Sequence, residues 1–316
     1  MFSLKEFVAA AKNQNIGMDA VMVIQNDRIL GLHRFTEDIL HNVYSVSKTY
    51  TATGIGMAVE EGLLSLDDKP CDFFRDILPS TVDPRWEEVT LRHLITMTSG
   101  HGKAFLMADE RKMLRGEVSR DIDEDMKKEW LRFAFTKPME YEPGEQFCYG
   151  NLAPYVAGRM LEKATGMTML DYLYKKMWEP LHIEKPRWDT DSNGHTFPAS
   201  YLFLDIVDMI TLGQIYLGKG EFQGKRFFSE EWANEVMSVH VNSSVICPSG
   251  CARDETAGYG YYMWKNQAAE GFRAYGREGQ FVIILPEHNA VVATQAMHHN
   301  VQDVLDLVWE YILPQL

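Results

Sequence analysis

The chain has 316 residues, of which 46% are hydrophobic and 24% are charged, as is ordinary for a folded protein. This length exceeds what one hydrophobic core usually supports, so we expect two lobes. The formal net charge of −14 argues against nucleic acid or an anionic membrane as a partner. The N-terminal residues lack the pattern of a signal peptide, and no apolar run reaches about 18 residues, so the sequence predicts a cytoplasmic protein.

The chain has four cysteines, at Cys71, Cys148, Cys247 and Cys251. Cys247 and Cys251 could form half of a metal site, but no second pair of ligands has the spacing of a zinc site. We therefore expect unpaired thiols in a reducing compartment, with no metal and no cofactor.

An N-terminal β-hairpin is predicted by two short apolar runs, AVMVIQN (20–26) and RILGLHRF (28–35). The polar pair Asn26-Asp27 separates them, as in tight hairpin turns. A helix is predicted next, and it begins near Ser45.

Helical periodicity dominates the following part of the chain, from residue 63 to about 250. Pro and Gly residues separate patterns that predict helices at 91–98, 124–135, 152–165, 168–178, 201–217 and 229–238. The highly charged stretch at 107–130 is typical of a solvated helical flap.

Strand patterns return near residue 258, in the runs GYGYYMW, GFRAYG, QFVIILP and AVVATQAM. A last amphipathic helix is predicted over 301–313. Strands at both ends of the chain imply an α+β fold, with one antiparallel sheet flanked by terminal helices and interrupted by a mainly helical insertion. We expect the sheet domain to comprise residues 1–66 and 252–316, and the inserted domain residues 67–251.

The first candidate for chemistry lies at the start of the helix in YSVSKTYTATGIG, residues 44–56. Ser45 and Lys48 are three residues apart and share one helix face, although the helix dipole disfavours a lysine in the first turn. Free N–H groups at the helix start favour an anion beside the serine, and the dipole with partial burial is expected to lower the lysine pKa. The pair therefore suggests a nucleophile and its general base. This spacing arises by chance about once per 300 residues, so a capping serine with a surface lysine is an alternative.

A second candidate is the loop before the predicted helix at 152–165. Tyr149 and Asn151 suit an acid–base phenol and an orienting amide. The helix itself is indicated by Pro154 in its first turn and Gly166 past its end. Alternatively, Tyr149 is a packed aromatic residue and Asn151 is an N-cap.

A third candidate is a strand interrupted at Gly276 and Gly279, which suggests backbone that a ligand approaches closely. Two backbone N–H groups, one at the serine and one on this strand, would form an oxyanion hole. A β-bulge without a ligand would explain the same glycines.

The order Ser45-x-x-Lys48, Tyr149-x-Asn151 and a glycine-bearing strand resembles the serine β-lactamase and penicillin-binding protein family. The tyrosine makes the chain more similar to the class C β-lactamases and to their esterase, D-aminopeptidase and amide-hydrolase relatives. The likeness covers nearly the whole chain and includes the segments EEGLLSLDDK (60–69), TLRHLITMTSG (90–100), EPGEQFCYGN (142–151) and GQIYLGKGEFQGKRFFSEEW (213–232).

The resemblance implies a β-lactamase/transpeptidase-like fold and a role for each matching residue. Ser45 would be the acylated nucleophile, Lys48 its base, and Tyr149 the relay of the leaving-group proton. The backbone N–H groups of Ser45 and Arg277 match the oxyanion-hole positions. The residues that would orient or bind the substrate are Asn151, Tyr275, Gly276 and Arg277.

The third motif departs from the family, which usually has Lys-Thr-Gly or His-x-Gly where this chain has Ala274-Tyr275-Gly276. Arg273 or Arg277 could replace the missing cation. The run GREGQ, which begins at Gly276, is more similar to 6-aminohexanoate-oligomer hydrolases and related esterases. We therefore predict a serine hydrolase for small esters, amides or short peptides, which is related to β-lactamases but is not a true one.

Two other interpretations stay open, namely a D-Ala-D-Ala carboxypeptidase or D-aminopeptidase, and a non-catalytic binding or sensor module of the penicillin-recognising type. The sequence contains no Gly-x-Ser-x-Gly, His-Glu-x-x-His, Walker or Gly-x-Gly-x-x-Gly motif. This argues against α/β-hydrolases, zinc proteases, P-loop NTPases and dinucleotide enzymes.

Overall fold

A computed structural model describes residues 1–37, 40–118, 123–245 and 253–316. It contains two compact units, the first formed by Met1–Thr49 with Tyr201–Leu316 and the second by Tyr50–Ser200. The cysteine pair that we considered as half of a metal site, Cys247 and Cys251, lies outside the described residues.

The described residues form twelve α-helices and eleven strands. The α-helices are α1 Lys5–Asn13, α2 Val46–Glu60, α3 Pro70–Phe73, α4 Leu91–Ile95, α5 Ala108–Leu114, α6 Glu124–Lys128, α7 Trp130–Phe135, α8 Leu152–Thr165, α9 Met169–Leu173, α10 Ile206–Leu217, α11 Glu230–Val236 and α12 Val301–Tyr311. The strands are β1 Met18–Gln25, β2 Arg28–Arg34, β3 His41–Asn42, β4 Arg187–Trp188, β5 Leu202–Leu204, β6 Glu221–Phe222, β7 Lys225–Arg226, β8 Trp264–Lys265, β9 Phe272–Gly276, β10 Gln280–Leu285 and β11 Ala290–Ala296. Within the described ranges, no helix has the length and apolarity needed to cross a membrane.

The first unit is built on an antiparallel sheet with the strand order β2-β1-β11-β10-β9-β8. The predicted hairpin is confirmed, because β1 pairs with β2 across Asn26 and Asp27. Both turn residues have positive φ, at 50° and 57°, as a type I′ hairpin turn requires. Of the predicted run GYGYYMW, only Trp264 belongs to a strand.

Alternating strand residues send one set of side chains to each face of this sheet. On one face, Val23, Ile283 and Val292 share a buried cluster with residues of the two terminal helices α1 and α12. On the other face, an ideal Cβ at Gly213 of α10 would lie 2.6 Å from a Val282 methyl carbon and 2.5 Å from one of Val291. The helix can therefore pack directly on β10 and β11.

This packing explains why the unit boundaries differ from the predicted domains, 1–66 with 252–316 and 67–251. The segment that follows Ser200 belongs to the sheet unit, because α10 covers one face of the sheet and β5 pairs with β3. The helix predicted over 201–217 is also wrong at its start, since β5 precedes it. The Asp205 carboxylate accepts a hydrogen bond from the Asp208 N–H and caps α10 at Ile206.

The second unit is mainly helical, as expected, but the helix predicted over 124–135 is wrong. It breaks at Glu129 into α6 and α7. The Glu129 carboxylate accepts a hydrogen bond from the Leu131 N–H and two from the buried Arg159 guanidinium, at 2.7 and 3.2 Å. The break therefore places a counter-ion beside a buried cation. In contrast, α8 ends as predicted, with Gly166 in the left-handed region at φ 67°.

Candidate active site

The chain makes a tight turn immediately before α2. The N–H groups of Val46, Ser47 and Lys48 donate to carbonyl oxygens three residues earlier, at 3.0–3.1 Å. The Ser47 hydroxyl also donates to the Tyr44 carbonyl at 2.5 Å. Tyr44 has the left-handed φ of 45°, which is uncommon for a residue with a side chain. Ser45 is thereby held directly before the first helical residue.

The structure brings Ser45 and Lys48 together, as their spacing predicted. The Lys48 ammonium nitrogen Nζ lies 2.8 Å from Ser45 Oγ and donates a hydrogen bond to it. The lysine is buried, with 1% of its surface exposed, whereas Ser45 is partly exposed. Ser45 can therefore meet a substrate, and the amine of Lys48, once it lacks its proton, can accept the hydroxyl proton across this contact.

The backbone N–H of Ser45 is the first of the two predicted oxyanion donors. Among the residues that the structure describes, this N–H has no hydrogen-bond acceptor. It lies at the start of a helix of 15 residues, where the peptide dipoles favour a negative charge. The position is therefore suited to an oxyanion.

The end of β9 lies against the segment that carries Ser45. An ideal Cβ built on Gly276 would lie only 2.3 Å from the Val43 carbonyl oxygen. Only glycine fits at this contact. Arg277, which carries the second predicted donor, directly follows Gly276 and lies in the same unit as the Ser-Lys pair. The close approach at Gly276 is thus made by the protein's own backbone. Gly279, at φ 98°, similarly lies against Val304 of α12.

One contact near the Ser-Lys pair was missed by the sequence analysis. The Tyr44 hydroxyl donates a hydrogen bond to Glu278 Oε2 at 2.9 Å, and thus joins the residue before Ser45 to the residue after Arg277. Burial, together with this bond to a carboxylate, raises the pKa of Tyr44 to about 12, so the phenol keeps its proton at neutral pH. The two residues are 234 positions apart, so no local pattern could have identified them.

The structure separates the side chains of the third motif. The Tyr275 ring stacks on Phe281, with the ring centroids 5.1 Å apart, and packs against the cluster beneath the terminal helices. Arg273 is fully buried and donates to the carbonyl oxygens of Lys265 and Asp254, at 2.6 and 2.9 Å. The Tyr275 ring therefore packs within this unit, and the Arg273 side chain is too deeply buried to replace the missing cation. The side chain of Arg277 is 72% exposed.

Tyr149 and Asn151 belong to the second unit. Tyr149 is partly buried, in the irregular segment before α8. Asn151 occupies the N-cap position, but its side chain makes no capping bond and instead donates to the Leu106 carbonyl at 3.2 Å. The backbone of Asn151 therefore holds the N-cap position, but its side-chain amide does not cap the helix.

Two of the four thiols lie in the described ranges, Cys71 and Cys148. Burial raises the pKa of each to about 11. Both are therefore protonated near neutral pH and are poor nucleophiles.

Comparison with known proteins defines first the class and then the family. A structure from Bacillus anthracis, provisionally assigned as a 6-aminohexanoate-dimer hydrolase, matches 100% of this chain and 83% of its own, with a TM-score of 0.78 and 18% identity. The fold is therefore of the β-lactamase/transpeptidase class, as predicted. The Beta-lactamase family model matches residues 4–306, and the chain belongs to that family.

Two curated relatives are esterases. The lovastatin esterase of Penicillium rubens is 27% identical over 201 residues, which are 58% of this chain and 48% of that protein. Esterase EstB of Burkholderia gladioli is 31% identical over 150 residues, which are 46% of this chain and 37% of that protein. The matched regions thus span less than half the length of these relatives. The predicted relationship to serine hydrolases is confirmed at the level of the family.

Proposed function

We propose that this chain is a serine hydrolase that forms an acyl-enzyme on Ser45 and acts on small esters or amides. The observation that carries the proposal is the 2.8 Å hydrogen bond between the buried Lys48 amine and the partly exposed Ser45 hydroxyl at the start of a helix. A surface lysine beside a capping serine, the alternative interpretation, would not be 99% buried.

The proposed acylation uses the groups of the first unit in order. Lys48 accepts the Ser45 hydroxyl proton while Oγ attacks the substrate carbonyl carbon, and the N–H groups of Ser45 and Arg277 stabilise the oxyanion. The tetrahedral intermediate then expels the leaving group, which takes up the proton that Lys48 accepted. In deacylation, water gives a proton to Lys48 and attacks the acyl carbon, the ester bond to Ser45 Oγ breaks, and Oγ recovers the proton as the acid is released.

In this proposal Tyr149 relays the proton to the leaving group, and Asn151 orients that tyrosine or the substrate. Both assignments rest on the order of the family motifs in the sequence. The proposal includes Gly276 as a backbone element and leaves out Tyr275, because its ring is engaged in packing.

Labelling with a fluorophosphonate tests the nucleophile. Intact-protein mass spectrometry should show one adduct, mapped to Ser45, and Ser45→Ala should show none. Ser229→Ala is a matched control, because Ser229 also begins a helix, where its Oγ accepts from the Trp232 N–H, but has no lysine three residues later. This variant should label like the wild type. An adduct that persists in Ser45→Ala would refute the proposal.

The proposed substrates are short neutral acyl esters or amides rather than β-lactams or peptides ending in D-Ala-D-Ala. A substrate carboxylate needs a partner that replaces its water, and the β9 positions Ala274 and Tyr275 supply no cation. Values of kcat/KM should be measured for a p-nitrophenyl ester, a chromogenic cephalosporin and a D-Ala-D-Ala peptide. Each is then divided by the uncatalysed rate, since aryl esters are intrinsically reactive.

The corrected values separate the remaining alternatives. A higher value for the cephalosporin or the peptide would contradict the substrate class and favour a β-lactamase or a carboxypeptidase. Acylation of Ser45 without turnover of any substrate would favour a binding or sensor module. Wild-type rates in Tyr149→Phe would show that this tyrosine is a packed aromatic residue.

A further inference from the structure

Two residues with left-handed backbone lie beside the two proposed oxyanion donors. Tyr44, at φ 45°, directly precedes Ser45, and Glu278, at φ 68°, directly follows Arg277. Such angles are sterically unfavourable for residues with side chains, and they persist only where surrounding contacts hold them. The hydrogen bond between the Tyr44 hydroxyl and Glu278 Oε2, at 2.9 Å, joins these two residues directly.

We propose that the Tyr44–Glu278 hydrogen bond is a positioning contact that fixes the N–H groups of Ser45 and Arg277 relative to each other as a pair of oxyanion donors. This inference rests on the proposed function of Ser45. Neither side chain touches the reacting atoms in this scheme, so both are positioning residues.

The covalent geometry explains how a side-chain bond can act on the donors. The Ser45 N–H lies in the peptide plane between Tyr44 and Ser45, so a rotation about the Tyr44 backbone redirects it. The Arg277 N–H lies in the plane between Gly276 and Arg277, and the contact at Glu278 holds Arg277 from its other side. An oxyanion hole stabilises the transition state only if both N–H groups point at the developing charge without reorganising. A contact that spans the two segments therefore serves catalysis in a way that no local contact can.

Other contacts anchor both ends of the bridge. The Tyr44 N–H donates to the Asn42 side-chain oxygen at 2.9 Å, and the Glu278 carbonyl accepts from the His298 N–H at 3.0 Å. The Arg277 guanidinium lies 4.0 Å from the other oxygen of Glu278. Because the carboxylate has a phenol donor on one oxygen and a cation near the other, its charge opposes a nearby oxyanion less than a free carboxylate would.

The test compares variants that remove the bond with one that keeps it. Tyr44→Phe deletes only the hydroxyl and Glu278→Ala deletes the acceptor, whereas Glu278→Gln retains an oxygen that can accept from the phenol. We expect a 10- to 100-fold fall in kcat for the first two variants, because small displacements of catalytic groups lower rates by about this much. Their KM should change little, and the double variant Tyr44→Phe/Glu278→Ala should lose no more than either single one. Glu278→Gln should keep most of the wild-type kcat.

A matched control separates positioning from general stability. Tyr172 also donates its hydroxyl to a glutamate, Glu61, at 3.0 Å, but in the second unit. Tyr172→Phe should lower the Tm about as much as Tyr44→Phe and leave kcat unchanged. If Ser45→Ala is inactive, two results would overturn the inference: an equal fall of kcat in Tyr44→Phe and Tyr172→Phe, or an unchanged kcat in Tyr44→Phe. Activity that persists in Ser45→Ala would instead overturn the proposed function and this inference with it.

Discussion

A single methyl group added at Gly276 tests the geometry of the site most directly. The Cβ of Gly276→Ala would lie 2.3 Å from the Val43 carbonyl oxygen and 3.0 Å from the Gln280 Cβ. Real Cβ atoms essentially never approach another heavy atom within 3.0 Å, so β9 or Val43 must move by at least about 0.7 Å. Val43 is two residues before Ser45, and its carbonyl accepts the first hydrogen bond of the turn before α2.

A displacement of this size has two measurable consequences. Overpacking of a rigid site costs about 1–3 kcal/mol of unfolding free energy. Misplacement of catalytic groups by about 1 Å lowers the rate by up to about 100-fold, so we expect kcat to fall 10- to 100-fold. Steady-state kinetics on a p-nitrophenyl ester measure the second effect, and urea unfolding measures the first.

Gly213→Ala is the matched control in the same unit. Its Cβ would meet methyl groups of Val291 and Val282 at 2.5 and 2.6 Å, so it overpacks the contact between α10 and the sheet. Neither valine belongs to the segment that carries Ser45. We expect a similar loss of stability with kcat close to that of the wild type. The reasoning would be refuted if Gly276→Ala kept its kcat, or if both variants lost kcat equally.

Two further predictions concern proton transfer and acid stability. Lys48→Ala and Tyr149→Phe should each lower kcat by about 10²–10⁴-fold, while the double variant loses little more, because the members of one catalytic unit are not additive; additive losses would contradict a shared role. Burial lowers the pKa of His101 to about 4, whereas the pKa in the unfolded state is near 6.5. As the pH falls from about 6.5 to about 4, the unfolded state therefore binds a proton that the folded state does not, and the free energy of unfolding falls by about 3 kcal/mol. Urea unfolding across this range should show a smaller loss for His101→Gln, and an equal loss would exclude this cause.

The sequence predicted those elements whose signals are local. The hairpin at Asn26-Asp27 and the end of α8 at Gly166 follow from turn and cap chemistry alone. The contact between Ser45 and Lys48 follows from helix periodicity, because residues three apart are neighbours. These parts of the fold and site need no knowledge of the rest of the chain.

The errors arose where a distant partner decides the local structure. The helix at 124–135 breaks at Glu129 because its carboxylate binds Arg159, 30 residues away. The start of the helix predicted at 201–217 is the strand β5, because β3 pairs with it there. The Tyr44–Glu278 bond depends in the same way on two distant segments. Periodicity cannot report such pairings, since neither partner changes the pattern around the other.

The expected partners, a small-molecule substrate and neither nucleic acid nor membrane, stay predictions, as does the cytoplasmic location.

The predicted preference for neutral substrates can be argued from the two arginines near the end of β9. The sequence left open whether Arg273 of β9 or Arg277, which directly follows β9, could face a substrate, and only tertiary packing decides it. Burial lowers the pKa of Arg273 to about 10, and the negative charge of Asp254 partly compensates its positive charge. The Asp254 carboxylate also accepts a hydrogen bond from the Trp309 side chain at 2.8 Å.

Arg277 is thus the arginine of this segment whose charge is open to solvent, and it is already 4.0 Å from a Glu278 oxygen. An anionic substrate would have to draw Arg277 away from that carboxylate and would itself approach a negative charge. Surface ion pairs are worth only about 0–1 kcal/mol, so the guanidinium is free to move, but the repulsion from Glu278 remains. A neutral acyl group meets neither penalty when it binds. We therefore expect the same glutamate that we propose to align the oxyanion donors also to disfavour substrates with a carboxylate beside the scissile bond.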